Sequence, residues 1–126
     1  MKVGIVGSRS ITEYEPVRLA IWQSPWFESK DMTPPKKWGY TLVSGGADGV
    51  DSSAAEFAEE VGVPIDVIEP DWDDWSDGHP ALSRNTEIVK KSDAIVAVWD
   101  GQSNGTRDSI DKALDRGVPI YVEVVD

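Results

Sequence analysis

Five short apolar runs alternate with four stretches of helical periodicity along this chain, and that alternation leaves few folds open. The runs are Lys2–Val6, Thr41–Ser44, Pro64–Ile68, Ala94–Val98 and Pro119–Val124. The intervening helices are expected over about Glu13–Phe27, Gly49–Val61, Pro80–Lys91 and Thr106–Arg116. Apolar positions such as Ala54, Phe57, Ala58 and Val61 recur at the spacing of one helical face. Pro80 suits a first helical position, and Gly62 and Gly117 suit helix stops. Residues 29–39, with Pro34-Pro35, read as a loop. Strict strand–helix alternation predicts a parallel sheet with helices on both faces, a three-layer Rossmann-like α/β fold. The fourth run is apolar throughout, as a strand covered on both sides requires. A chain of 126 residues is expected to form a single domain, 1–126.

Right-handed crossovers leave two common strand orders, 3-2-1-4-5 and 2-1-3-4-5. In the first, the direction of winding switches between strands one and four. The loops after those strands, Gly7-Ser8-Arg9-Ser10 and Asp100–Thr106, would meet there with the turn after strand two. Three polar, glycine-bearing loops would then ring one crevice at the carboxyl edge. That convergence favours 3-2-1-4-5.

The turn after strand two reads Ser44-Gly45-Gly46-Ala47-Asp48-Gly49-Val50-Asp51. Glycines let backbone N–H groups approach a ligand, and a helix N-terminus adds partial positive charge. The alternative is a tight connection in which Asp48 or Asp51 caps the helix. Two carboxylates oppose phosphate but suit ribose hydroxyls. The turn lacks the Gly-Lys-Ser/Thr of a phosphate-binding loop. Ser103-Asn104-Gly105-Thr106 carries no carboxylate and is the better phosphate candidate. Arg9 offers a guanidinium for a planar anion, and Arg84-Asn85 lies about one turn into a helix that starts at the same edge.

Several chemistries are poorly served. Cysteine is absent and His79 is the single histidine, so thiolate sites, zinc sites and histidine-based dyads have no residues to build them. Asp71, Asp73, Asp74 and Asp77 lack the spacing of a calcium loop, and no metal or cofactor is expected beyond a bound nucleotide. Trp72 and Trp75 in that loop are read either as a stacking surface for a base or as a lid on the core. Trp22, Trp26 and Phe27 sit at helical spacing, as a core or dimer contact would. The net charge is −11, from 23 acidic and 12 basic residues. Such a surface opposes nucleic acid, whose phosphates bind Lys and Arg. It also fits adaptation to high salt, where mutual repulsion is screened. No run is long enough for a membrane span and the start carries no signal-peptide pattern, so a cytoplasmic protein is expected.

Taken together, Gly7-Ser8-Arg9, Ser44 through Asp51, Asp71-Trp72, Arg84-Asn85, Ser92-Asp93-Ala94 and Ser103 through Thr106 resemble the SLOG superfamily. That superfamily includes the Smf/DprA DNA-processing proteins and the LOG phosphoribohydrolases. The pattern is most similar to its small stand-alone branch related to YspA and YpsA. The resemblance implies a Rossmann-like fold, a crevice for nucleotides or nucleotide-derived ligands, and a homodimer or higher homo-oligomer. The implied ligand-binding set is Gly7, Ser8, Arg9, Ser44, Gly45, Gly46, Ala47, Asp48, Asp51, Arg84, Asn85, Ser103, Asn104, Gly105 and Thr106. The LOG hydrolases carry Pro-Gly-Gly-x-Gly-Thr-x-x-Glu with a catalytic glutamate; Ser109 stands at that position here. Glycosidic cleavage needs a carboxylate, for which Asp48, Asp51 and Asp108 are the candidates. Asp108 is displaced from position 109 by about 100° around a helix. Three functions follow, with ligand sensing or sequestration first. The alternatives are N-glycosidic hydrolysis of nucleoside monophosphates and a single-stranded-DNA-binding or DNA-processing accessory role.

Overall fold

A computed structural model describes residues 1–27 and 39–125. Of the expected loop at 29–39, all but Gly39 lies outside the described residues. The elements run β1 (Lys2–Gly7), α1 (Tyr14–Gln23), β2 (Thr41–Ser44), α2 (Val50–Val61), β3 (Ile65–Val67), α3 (Pro80–Lys91), β4 (Ala94–Trp99), α4 (Asn104–Asp115) and β5 (Ile120–Val124). All four strand pairings are parallel, and the order is β3-β2-β1-β4-β5. Both the three-layer fold and the strand order match the expectation from sequence.

Side-chain alternation sorts the strands onto two cores. Val3 and Ile5 of β1 and Val96 and Val98 of β4 pack with Val17, Ile21, Ala54 and Phe57, under α1 and α2. Val6, Ile95 and Ala97 pack with Ile88, Val89 and Ala113, under α3 and α4. Ala94 through Val98 are all fully buried, as their unbroken apolar character requires.

The first helix is shorter than its apolar spacing suggests. It stops at Gln23 because Pro25 follows, and the residue before a proline is pushed out of helical geometry. Ser24 is extended (φ −65°, ψ 152°), and its hydroxyl donates to the Ile21 carbonyl at 2.6 Å. The chain then turns back, so Phe27 enters the core from outside the helix. It meets Trp22, Tyr40 and Phe57 edge-on, with ring centroids 6.0, 5.2 and 5.7 Å away.

Candidate functional site

The loops after β1, β2 and β4 converge on one crevice of about 390 Å³ at the carboxyl edge of the sheet. That volume lies within the range usual for small-molecule sites. The position is the switch point between β1 and β4, where the sheet reverses its direction of winding.

One wall is the N-terminus of α4. Ser103 caps this helix, its hydroxyl accepting from the Thr106 N–H at 3.4 Å and from the Thr106 hydroxyl at 3.2 Å. Its first turn holds no acidic residue. Among the described residues, the N–H groups of Asn104 and Gly105 have no partner. Gly105 and Thr106 line the crevice, whereas Asn104 is exposed and lies off it. Nothing stands within 4 Å of where a Gly105 Cβ would be, so the backbone there is open to a ligand.

Asp100 shapes that wall. One carboxylate oxygen accepts from the N–H groups of Gln102 (2.8 Å) and Ser103 (2.7 Å), and the other from the Ser10 hydroxyl at 2.7 Å. These bonds favour the charged form and hold its pKa down at about 2, with the Ser10 bond the largest cause. The ligand-facing readings of the sequence passed over Asp100. The signal was available, since Asp-Gly-x-Ser at a strand end fits an Asx turn leading to a helix cap.

The opposite wall comes from α2, α3 and the β2 turn. The alternative in which Asp48 or Asp51 caps the helix fails, because Gly49 occupies the cap position and no side chain caps the helix. The Asp51 carboxylate instead accepts from the Ala47 N–H at 3.0 Å, closing the turn on itself. Burial raises the Asp51 pKa; the Ala47 bond and the charges of Arg84 and Arg9 oppose the rise only in part. Arg84 is partly buried and donates to the Gly45 carbonyl at 3.0 Å and to Asn85 Oδ1 at 3.2 Å. Burial lowers its pKa, and nearby Asp51 works against that. Arg9 is exposed and lines the crevice beside them.

Asn85 joins the two walls. Its Nδ2 donates to the Gly105 carbonyl and to Asp108, both at 3.2 Å, while its Oδ1 receives Arg84. Of the remaining sequence candidates, Gly7 and Ala47 line the crevice and the others do not. Ser8 is buried, accepting from the Asp100 N–H at 3.1 Å and touching the Thr106 hydroxyl at 3.4 Å, so it ties β1 to β4. Ser44 is buried within the β2 turn, where Gly46 N donates to it at 3.4 Å. Gly7 lines the crevice floor, and a Cβ there would lie 2.4 Å from the Val98 carbonyl oxygen. Gly46 and Asp48 are exposed and outside the lining. Asp108 is also outside it, paired with Lys112 at 2.8 Å. Ser109 is buried and does line the crevice, its hydroxyl bonded to the Gly105 carbonyl at 3.4 Å. Ala47 and Ser10, from loops expected at the crevice, complete the lining together with Val6 and Ile88, which sequence reasoning did not single out.

The β3–α3 loop removes one of the two readings of its tryptophans and gives His79 a part in the helix that follows. His79 is exposed but has a local role, its Nδ1 accepting from the Ala81 N–H at 3.0 Å to cap α3. Trp72 and Trp75 do not lid the core, being 67% and 60% exposed. Among the described residues, no group of three or more potential ligands could hold a metal ion, and no helix is long and apolar enough to cross a membrane.

No protein-family model matches this chain, and no curated protein does. Solved structures do. The structural-genomics target TM1055 matches with a TM-score of 0.62 at 23% identity, over 94% of this chain and 71% of that one. DNA processing protein A (DprA) from Streptococcus pneumoniae matches with a TM-score of 0.71 at 18% identity, over 96% of this chain. The match spans 49% of that DprA chain. At these identities the likeness is one of fold.

Proposed function

We propose that this chain binds a nucleotide or nucleotide-derived ligand, a nucleoside phosphate or an ADP-ribose-like molecule, and serves to sense or sequester it. The carrying observation is the open N-terminus of α4. Its unpartnered Gly105 N–H, its capping hydroxyls and its carboxylate-free first turn face a wall that bears two guanidinium groups. Phosphate sits at Ser103, Gly105 and Thr106, with Arg9 and Arg84 closing on it. Asp51 then faces the ribose hydroxyls, which it can accept as hydrogen-bond donors. The shared fold with DprA and the order of the sequence motifs support placing the chain in the SLOG superfamily. The YspA/YpsA-related branch rests on the motifs alone. Calorimetric titration with nucleoside phosphates and ADP-ribose derivatives tests the reading. Saturable binding that weakens roughly thirtyfold in Arg84→Met is expected, and no heat at low or high salt overturns it.

One observation favours hydrolysis as a second reading. Asp51 is a crevice carboxylate whose protonated form is favoured by burial, as a proton donor to a leaving base would need. Chromatography of incubated nucleoside monophosphates decides this reading. Base release that persists in Asp51→Asn removes the assignment. A single-stranded-DNA role is the least supported. The exposed indoles stand among Glu69, Asp71, Asp73 and Asp77, which repel a phosphate chain.

A further inference from the structure

The open edge of β5 is unlike the other edge of the sheet. β3 is three residues long, and Asp66 on it pairs with Lys2 at 3.8 Å, so that edge is short and charged. Proteins blunt sheet edges in this way. β5 is five residues long and, among the described residues, pairs with β4 on one side only. The ladder bonds Ile95 N–H to Pro119 O (2.9 Å) and Val125 N–H to Trp99 O (2.7 Å) set its parity. Pro119, Tyr121, Glu123 and Val125 turn their backbone groups to β4, so those of Ile120, Val122 and Val124 point outward. Apolar and acidic side chains flank this edge, Glu13 and Glu15 of the neighbouring groove among the latter. Val122 and Val124 are 37% and 56% exposed, and Leu19 of α1, 43% exposed, shares a groove of about 560 Å³ with Val124 and Glu123.

We propose that β5 pairs antiparallel with β5 of a second copy of this chain, about a two-fold axis at Val122. The occupant follows from self-complementarity, because an isologous contact must match a surface to itself. With Val122 opposite Val122, Ile120 meets Val124, so the apolar residues of one face stand together. On the other face Tyr121 meets Glu123, a phenol opposite a carboxylate. Within one chain the Tyr121 hydroxyl already donates to Glu123 at 3.2 Å, so the two groups are chemically matched. Only this register gives all three outward residues an outward partner inside β5. Centring the axis on Glu123 would set like charges face to face, which destabilises a strand pair. Each copy carries a net charge of −11, so salt strengthens the pairing by screening repulsion between copies.

Sedimentation equilibrium of the full chain at low and molar salt tests this. The expected result is twice the 13.8 kDa chain mass, more completely at high salt. Val122→Lys should return the monomer with an unchanged far-ultraviolet circular dichroism spectrum, while Val67→Lys on the opposite edge should leave the dimer intact. A wild-type monomer at both salts, or a dimer that survives Val122→Lys, overturns the proposal. Should Val122→Lys fail to fold, amide hydrogen exchange on the wild-type protein decides. The Ile120, Val122 and Val124 amides should exchange slowly when the mass is doubled, and fast exchange in the dimer overturns the pairing.

Discussion

The two glycine-bearing turns at the carboxyl edge look alike in sequence and end in opposite states. Ser44–Asp51 is occupied by its own protein. Asp51 takes the Ala47 N–H, Arg84 takes the Gly45 carbonyl, and the Ser8 and Arg9 backbone lies against Gly49. Asp100–Thr106 also spends a carboxylate on its own backbone, but Asp100 does so before the helix begins. The first turn of α4 is therefore left free of acid and its leading N–H groups unpartnered, whereas the first turn of α2 holds Asp51. A helix terminus attracts an external anion only when no internal one has taken its place. Where the carboxylate sits, inside the first turn of the helix or just before it, decides which of two similar turns can receive phosphate.

The largest test of that contrast exchanges one glycine in each turn for alanine. Gly49 has φ +74°, and a Cβ there would meet the Ser8 and Arg9 carbonyl oxygens at 2.6 Å. Left-handed strain and backbone overlap together should cost about 3 kcal/mol of stability, read from chemical denaturation. Gly105 has open space, so Gly105→Ala should leave the fold intact while its methyl enters the crevice and weakens phosphate binding. Equal stability losses in the two variants would erase the distinction between a packed turn and an open one.

Next comes Arg84→Met, which keeps much of the side chain and removes the charge. Loss of a charge-assisted contact to phosphate should cost about 2 kcal/mol, roughly thirtyfold in affinity by calorimetry. Arg84→Lys should restore little of it, because one ammonium cannot hold both Gly45 and a ligand in the planar fork of a guanidinium.

The two aspartates should then give opposite pH responses. Asp51 has a raised pKa, so the stability it contributes is present below the ordinary carboxylate range and lost as pH rises through the raised value. Asp51→Asn should therefore melt higher than wild type at neutral pH, with the gap closing in acid. Asp100 has a pKa held down at about 2, so its contribution is present at neutral pH and lost as pH falls towards that value. Asp100→Asn should melt lower at neutral pH, and its gap should close in acid as well. Melting curves in which both variants shift the same way would refute the division of roles.

The smallest effect separates fold from site by salt. Between low and molar salt the melting temperature should rise as repulsion within the −11 charge is screened, while phosphate affinity at the crevice should fall. A flat or falling melting temperature removes the high-salt reading of the composition.

Much of this was legible along the chain because it depends on local order. Alternating apolar runs and helical faces predict a parallel sheet with helices on both sides, and converging polar loops select the β3-β2-β1-β4-β5 order. Pro25 was the local signal that ended α1 early, and helical spacing alone overrode it wrongly. Asp100 could have been found from its Asx-turn spacing, because that too is local.

The identity of the crevice residues depended on tertiary structure. Asp48 and Asp51 are three residues apart, yet one is exposed and the other lines the crevice, because Asp48 lies in the turn before α2 and Asp51 in the first turn of the helix, with Gly49 at φ +74° between them. Asp108 was equally eligible by type, but Lys112 stands one turn along the same helix and Asn85 reaches it from α3. Sequence by itself determined the layers, the strand order and the edge at which a ligand can enter, since these follow from periodicity and chain handedness. Only the tertiary structure decided which turn is spent on its own backbone and which stays open, because a hydrogen bond goes to whichever partner the packing brings within reach.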